Sequence, residues 1–475
     1  MTTTVRGVQT EPNPAPASAP ERDPASYRDS HGYVYFTGDR VFRAVREPGV
    51  EDFTFVRSTG LIDRLVARGW LLPESRAEHL EVVPADARVV LEHPKLPFVS
   101  YPYEWSFRAL QAAAIRHLDI HLEALNHGVT LADASAFNLQ FLGPQPVFID
   151  HLSFRRYRKG EFWAGYRQFC EQFLNPLLLE SYRGVPFNAW YRGTLEGIRA
   201  VDLSRVLGWT WSPNVVKHVH MAVALQKLAE GEQGRRFTRW ASRQRVPREA
   251  FVSLLRNLRR WIDGLRPRSA AMWTDYADTV DPTYSEDKRR FVAAFVVTTN
   301  VRRLWDIGCN SGLYSEEALR SGASLVVGLD IDPGALNAAF LRAEEKNLAF
   351  LPLCADPVNP PGNQGWAERE RRGLLARGPL HGALALAIVH HLAIGRNVPL
   401  DALVPWLFSL APQGVVEFVP KSDPKVRQLL ELREDIFPDY TEETFLAIVR
   451  RHGAIIRTQR LRGSERTLVW YSTAV

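Results

Sequence analysis

The sequence predicts an α/β protein in which a doubly wound parallel sheet follows a largely helical α+β region. Three observations predict this fold class. Strand-like and helix-like segments alternate regularly after about residue 285, helical patterns dominate from Ser106 to about Arg266, and a polar stretch with two prolines separates the two regions. The 475 residues, of which 45% are hydrophobic, are enough for two or three domains that each bury a core.

The N-terminal elements follow from local patterns. Residues 1–27 are rich in Pro, Ala and Thr and lack an apolar segment, which predicts a disordered leader. Residues 28–266 are expected to form one mostly helical domain that recognises a substrate or a partner. Its predicted elements are a hairpin at 33–45, a helix at 55–71, strands at 88–93 and 97–103, and a β-like insert at 137–154.

The C-terminal elements follow a linker predicted at residues 267–284. Residues 285–475 are expected to form the second domain, whose strands coincide with apolar segments separated by helical patterns. The expected strands are VRRLWDIG, SLVVGLD, AFLPLCA, GALALAIV, GVVEFVP and a late pair near 454–460 and 467–473.

Composition excludes several classes of protein. No apolar run reaches the roughly 18 residues that a membrane span needs, so no membrane partner is expected. The three cysteines, Cys170, Cys309 and Cys354, show no CxxC or Cys/His ligand spacing. This pattern predicts neither a disulfide framework nor a zinc site, and we expect reduced thiols in a cytoplasmic protein.

The net charge of +6 is small for this length, but its distribution is uneven. Eleven arginines lie between Arg235 and Arg268, interleaved with Phe237, Trp240 and Trp261. Such a stretch is typical of a solvated helical face and also of a surface that grips RNA. We favour the helical face, and nucleic-acid binding remains an alternative.

The strongest chemical signal is LWDIGCNSG at residues 304–312. A strand ends in Asp306 and enters a turn with Gly308 and Gly312, which permits a ligand to approach the backbone at the following helix. The next strand ends in Asp330, where a carboxylate can accept both hydroxyls of a ribose. The spacing D-x-G-x-x-x-G differs from a dinucleotide fingerprint, and its acid suits the ammonium group of S-adenosylmethionine better than a phosphate.

Two further strand ends complete this pattern. Asp356 follows the third strand and can hydrogen-bond an adenine amine, and the fourth strand leads into His390 and His391. A histidine pair there can act as a base, because its pKa is near neutrality, or it can simply pack beneath the cofactor.

These residues resemble the class I S-adenosylmethionine-dependent methyltransferases over about 285–475. The resemblance implies a Rossmann-like domain with the methyl acceptor near His390 and His391. It also implies a set of cofactor-binding residues: Asp306, Gly308, Asn310 and Gly312 in the loop, Asp330 at the ribose and Asp356 at the adenine. Asn310 stands where the commonest loop has its middle glycine.

In the first half, Asp133, Asn138 and Asp150 resemble the catalytic loop and the metal-binding acid of protein-kinase-like phosphotransferases. That resemblance implies an aspartate that orients an acceptor hydroxyl, and an asparagine and a second aspartate that hold magnesium. No glycine-rich loop occurs near residues 33–45, and Lys95 is the only lysine of the N-terminal lobe. A kinase-like scaffold is therefore favoured over an active kinase, and no other metal site is predicted.

The whole chain also resembles a bacterial two-domain family related to the nodulation protein NoeA, through strings such as LPFVSYPYEWSF, LADASAFNLQF and WDIGCNSGLYS. This resemblance implies a methyltransferase without naming its acceptor. We therefore expect an S-adenosylmethionine-dependent methyltransferase that acts on a small molecule. Phosphotransfer or ATP binding by the N-terminal half and RNA methylation are the alternatives, and the oligomeric state is left open.

Overall fold

The computed structural model describes residues 20–77, 83–208, 212–223, 245–268, 282–378, 380–431 and 433–473. The chain divides into two compact units. The smaller unit contains the described residues up to Glu51 together with Pro73–Lys95, and the larger unit contains Asp52–Leu72 and the chain from Leu96 onward. Both sides of the linker predicted at 267–284 belong to the larger unit, and the helix Pro282–Thr299 begins within that linker.

The smaller unit is an antiparallel sheet with the order β1-β2-β3-β5-β4. Its strands are β1 (Glu21–Arg22), β2 (Gly32–Thr37), β3 (Arg40–Arg46), β4 (Ser75–Arg76) and β5 (Ala87–His93). Strands β2 and β3 form the expected hairpin around Gly38, which has a φ of 57°. The predicted leader, 1–27, is too long, because Glu21 and Arg22 pair with Phe36 and Tyr35. Residues 1–19 lie outside the described part.

The first half of the chain is mostly helical, as expected. Its helices are α1 (Val50–Ser58), α2 (Leu61–Ala67), α3 (Phe107–Asn126), α4 (Tyr166–Phe169), α5 (Asn175–Arg183), α6 (Asn188–Thr194), α7 (Ala200–Leu207), α8 (Pro213–Val215) and α9 (Arg248–Gly264). The long helix α3 begins after Ser106, whose hydroxyl accepts a hydrogen bond from the Ala109 amide at 3.2 Å.

The strand expected at 97–103 does not form. Pro97 and Pro102 lack the amide donors that a strand ladder needs, and Pro102–Glu104 forms a 3₁₀ turn instead. The carboxylate of Glu104 accepts a hydrogen bond from the Tyr101 amide at 2.9 Å and so closes this turn.

The β-like insert at 137–154 is confirmed. Strands β7 (Leu139–Leu142) and β8 (Gln145–Phe148) form a hairpin, and β6 (Val129–Leu131) pairs with β9 (Phe154–Arg156) on either side of it. The segment that carries Asp133 and Asn138 lies between β6 and β7, and Asp150 lies between β8 and β9.

The C-terminal half forms a seven-stranded sheet with the order β12-β11-β10-β13-β14-β16-β15. These strands are β10 (Arg303–Ile307), β11 (Leu325–Asp330), β12 (Phe350–Cys354), β13 (Gly382–Ala385), β14 (Gln413–Phe418), β15 (Ala454–Arg460) and β16 (Thr467–Ser472). The associated helices are α10 (Pro282–Thr299), α11 (Leu313–Arg320), α12 (Pro333–Glu345), α13 (Val389–Ala393), α14 (Leu400–Leu410), α15 (Pro424–Leu430) and α16 (Glu442–His452).

The predicted parallel α/β sheet is confirmed for its first five strands, β10 to β14. The last two strands are antiparallel, and β16 lies between β14 and β15. The short connection from β15 to β16 explains this, since parallel neighbours need a crossover of a dozen or more residues.

One hydrophobic core connects the helical half and the sheet half within the larger unit, and it extends from Val56 to Tyr471. The rings of Phe98 and Trp305 lie 5.4 Å apart, and those of Phe141 and Phe340 lie 5.9 Å apart. Among the described residues, no helix combines the length and the apolar character that a membrane crossing requires.

Candidate active site

The glycine loop after β10 has the backbone conformation that its sequence predicts. Gly308, Asn310 and Gly312 have φ values of 78°, 47° and 79°. A Cβ atom at Gly312 would overlap the ring of Phe350, and one at Gly308 would lie 3.2 Å from the Ile388 side chain. Asparagine is one of the few other residues that adopt positive φ readily, so Asn310 replaces a glycine without disrupting the turn.

Asp330 fixes this loop to the end of β11. Its carboxylate accepts hydrogen bonds from the backbone amides of Asn310 at 2.8 Å, Ile331 at 2.8 Å and Asp332 at 3.0 Å. Burial raises the pKa of Asp330 above its usual value. Only one of these bonds reaches Oδ2, so this oxygen keeps acceptor capacity for a ligand hydroxyl.

Asp306 lies at the end of β10 with 2% of its surface exposed. The hydroxyl of Ser315 donates to it at 2.6 Å. Burial raises the pKa of Asp306 to about 7, and the negative charge of Asp330 adds to the rise. The loop therefore lies beside two carboxyl groups, which attract a cation and repel a phosphate.

Asp356 follows β12, as expected, but it already has a charged partner. It forms an ion pair with the exposed Arg396, and it accepts a hydrogen bond from the Val358 amide at 2.9 Å. Sequence reasoning did not identify Arg396, because the loop that carries it gives no pattern of its own.

His390 and His391 lie at the start of α13, and their ring centroids are 4.1 Å apart. His390 is buried, and its Nδ1 atom has no hydrogen-bond partner among the described residues. Burial lowers the pKa of both rings, and nearby positive charges lower it further, so that the pKa of His391 falls to about 4. Both imidazoles are therefore neutral at pH 7.

A buried group of ion pairs lies close to these histidines. Lys288 on α10 lies 2.7 Å from Glu417 on β14, and both side chains are at most 2% exposed. Arg466 lies 3.4 Å from Glu417 and 2.7 Å from Asp423. Lys288 and Arg466 both lower the pKa of His390, after burial and the neighbouring His391. Sequence reasoning missed the two cations, which occur in strongly charged segments.

The structure also brings together the three kinase-like residues. The side-chain amide of Asn138 donates to Asp133 at 3.0 Å and to the hydroxyl of Ser153 at 3.2 Å, and that hydroxyl donates to Asp150. Burial and the charge of Asp150 raise the pKa of Asp133. Lys95, in the smaller unit, forms an exposed ion pair with Asp39 at 2.7 Å.

The arginine-rich segment is only partly described, since Arg235, Arg236, Arg239 and Arg243 lie outside the described residues. Helix α9 buries Phe251, Leu255, Leu258 and Ile262. Two of its arginines contact helix α3: Arg259 forms an ion pair with Asp119, and Arg248 donates a hydrogen bond to the Leu125 carbonyl at 2.9 Å. These two arginines therefore act within the fold.

Known proteins resemble this chain in sequence, one over nearly its full length and another over a short segment. No family model matches the chain. The chain is 41% identical over 464 residues to nodulation protein NoeA of Rhizobium meliloti (strain 1021), which covers 96% of each chain. A segment of 65 residues is 42% identical to the electron transfer flavoprotein beta subunit lysine methyltransferase of Danio rerio, and it spans 14% of this chain and 25% of that protein.

One solved structure with a similar region is that of N-methyltransferase NodS from Bradyrhizobium japonicum WM9 in complex with S-adenosyl-L-homocysteine. The match has a TM-score of 0.31 and 13% identity, and it covers 42% of this chain and 92% of that one.

The strand order is that of a Rossmann-like methyltransferase domain, and the glycine loop follows its strand β10. The C-terminal half is an S-adenosylmethionine-dependent methyltransferase domain. Because the identity extends over almost the full length of both proteins, the chain belongs to the family of nodulation protein NoeA.

Proposed function

We propose that this protein transfers a methyl group from S-adenosylmethionine to a small molecule whose nucleophilic atom is held beside His390 and His391. The observation that carries the proposal is the position of these rings. They follow β13, the strand directly next to β10, and the glycine loop follows β10. Parallel neighbours end at the same edge of a sheet, so cofactor and acceptor would meet there.

The residues around the loop suit this cofactor. Asp306 and Asp330 provide negative charge for its ammonium group, and Oδ2 of Asp330 can accept a ribose hydroxyl. Asp356 would accept a hydrogen bond from the adenine amine while it keeps its ion pair with Arg396. When bound, S-adenosylmethionine supplies a methyl group that its sulfonium already activates, so the protein mainly aligns the acceptor and excludes water.

The neutral histidines would remove a proton from an acceptor that loses one on methylation. A base must be unprotonated before it acts, and the burial of His390 and His391 together with nearby cations keeps both rings in that form. His391 is less buried than His390, so it is the better candidate for contact with the acceptor. If it is the base, His391→Gln lowers kcat with little change in cofactor affinity.

Calorimetric titration with S-adenosylmethionine tests the cofactor site. We expect binding by the wild type and loss of binding in Gly308→Arg, because that side chain would fill the loop. Gly264→Arg is the matched control, since a Cβ at Gly264 meets nothing within 4 Å and lies on α9. Unchanged binding by a folded Gly308→Arg variant would contradict the proposal.

A second candidate function is nucleotide binding or phosphotransfer by the N-terminal half. The clustering of Asp133, Asn138 and Asp150 favours it, since two carboxylates and an amide are ligands that suit magnesium. Titration with ATP and magnesium should give heat in the wild type and none in Asp150→Ala. Asp263→Ala, at an exposed carboxylate on α9, is the control.

RNA as the acceptor is a weaker alternative, because Arg248 and Arg259 make contacts within the fold. RNA binding that weakens steeply with rising salt concentration would support this alternative. The cysteines are free, and reduced thiols are the normal state in the cytoplasm, where we place the protein.

A further inference from the structure

Three hydrogen-bond donors surround the ring of Phe137, the residue before Asn138. The hydroxyls of Tyr103 and Tyr191 and the Nε atom of Arg371 are buried and have no partner among the described residues. The ring centroids of Tyr103 and Tyr191 lie 6.5 and 6.4 Å from that of Phe137. The guanidinium carbon of Arg371 lies 4.1 Å from the same centroid. All three groups thus border the Phe137 ring, and the charge of Arg371 acts on both phenols.

All three groups act as donors at neutral pH. Burial raises the pKa of Tyr103 and of Tyr191, so both phenols keep their protons, and a guanidinium cannot accept a hydrogen bond. A buried donor without a partner costs about 1–3 kcal/mol. Three such donors together match a ligand that offers only acceptor atoms.

The neighbouring charges are engaged elsewhere. The carboxylate of Glu104, next to Tyr103, is bound by Arg377, with Nη1 at 2.9 Å from Oε2. The terminal nitrogens of Arg371 face Glu370, with Nη1 at 2.9 Å from its carbonyl and Nη2 at 3.4 Å from its carboxylate. The Nε–H of Arg371 is thus the group left for a ligand.

Exposure gives the direction of entry. Tyr103 and Tyr191 are 2% and 0% exposed, whereas the Arg371 side chain keeps 14% of its area exposed and Phe137 is half-buried. The phenols therefore form the floor, and Arg371 and Phe137 form the side towards solvent.

We propose that Tyr103, Tyr191 and Arg371 form a binding site for one small oxyanion group, a carboxylate or a phosphate, beside the Asp133–Asn138 loop. The site contains none of the cofactor residues and does not depend on methyl transfer. It joins the turn before α3 and helix α6 to the connection between β12 and β13, and so links the two halves of the larger unit.

Thermal unfolding with inorganic phosphate, with acetate and with matched chloride tests this site. One or both anions should raise the unfolding temperature of the wild type above the chloride value. They should not raise that of Tyr103→Phe/Tyr191→Phe, which keeps the rings but lacks the hydroxyls. Tyr157→Phe is the control, because it removes an unpartnered buried hydroxyl that packs near Phe251 instead.

Calorimetry should show anion binding at least tenfold weaker in the double variant than in the wild type. If the double variant fails to fold, Arg371→Lys, which lacks the Nε–H group, replaces it with the same expectation. The proposal is overturned if neither anion shifts the wild type beyond chloride, or if both anions shift the variant equally.

Discussion

At the scale of single residues, Asp306 shows how binding and stability compete. The carboxyl group is buried at the end of β10, and burial raises its pKa to about 7. Between the unfolded value, about 4, and pH 7, the folded protein holds a proton that the unfolded chain has lost. The free energy of unfolding therefore falls as the pH rises through this window, and the loss is complete near pH 8.

Replacing Asp306 with Asn should raise the free energy of unfolding at pH 8 by about 4 kcal/mol and change it little at pH 4. The same variant should bind S-adenosylmethionine at least tenfold more weakly at pH 8, because the charge for the ammonium group is gone. Urea unfolding at both pH values and calorimetric titration measure these effects. A variant that is destabilised at pH 8 would contradict the assigned burial of this charge.

At the scale of elements, helix α10 forms ion pairs with residues that come much later in the sequence. It places Lys288 against Glu417 on β14, and it places Asp287 against Arg462 at 2.7 Å. Arg462 and Arg466 both lie on the connection between β15 and β16. The helix that precedes the sheet is thus joined by ion pairs to β14 and to the β15–β16 connection, and the pair with β14 is buried.

Lys288→Met should lower the free energy of unfolding by about 3 kcal/mol, because it leaves Glu417 buried with only the more distant Arg466. Lys288→Met/Glu417→Gln should recover much of this loss, since the uncompensated charge is removed. Denaturant unfolding of both variants is the measurement. Equal destabilisation of the single and double variants would show that packing, rather than charge, is the cause.

At the scale of the whole molecule, the halves of the larger unit share one hydrophobic core. Trp305 of β10 is 1% exposed and packs against Phe98, and Glu104 forms a buried ion pair with Arg377. A fragment that contains only the sheet would expose these surfaces to water. The enzymatic half therefore depends on the helical half for its stability.

The fragment 282–475 should unfold at a lower temperature than the full chain and tend to aggregate. Differential scanning calorimetry and size-exclusion chromatography of the fragment and the full chain provide the comparison. A monomeric fragment with the same unfolding temperature would refute the shared core.

Acid should destabilise the fold through its buried histidines. His117 and His121 on α3 are 0% exposed, and burial lowers the pKa of His117 to about 3. Below about pH 6.5 the histidines of the unfolded chain bind protons, whereas the buried rings of the folded state stay neutral. The free energy of unfolding therefore decreases as the pH is lowered. His117→Phe should make this pH dependence shallower in urea unfolding between pH 4 and 7, and an unchanged slope would exclude His117 as a source.

The sequence by itself determined the alternating strands and helices of the C-terminal half, the glycine loop and the acids at the strand ends, because these features depend on spacing within a few residues. Only the tertiary structure decided that β16 inserts between β14 and β15, that Lys288 and Arg466 meet Glu417, and that Arg371 lies near Tyr103 and Tyr191. Such groups come from distant segments of the chain. From its neighbours in sequence alone, an isolated charged residue is predicted to be solvent-exposed. Their burial becomes visible only when the core that encloses them has formed.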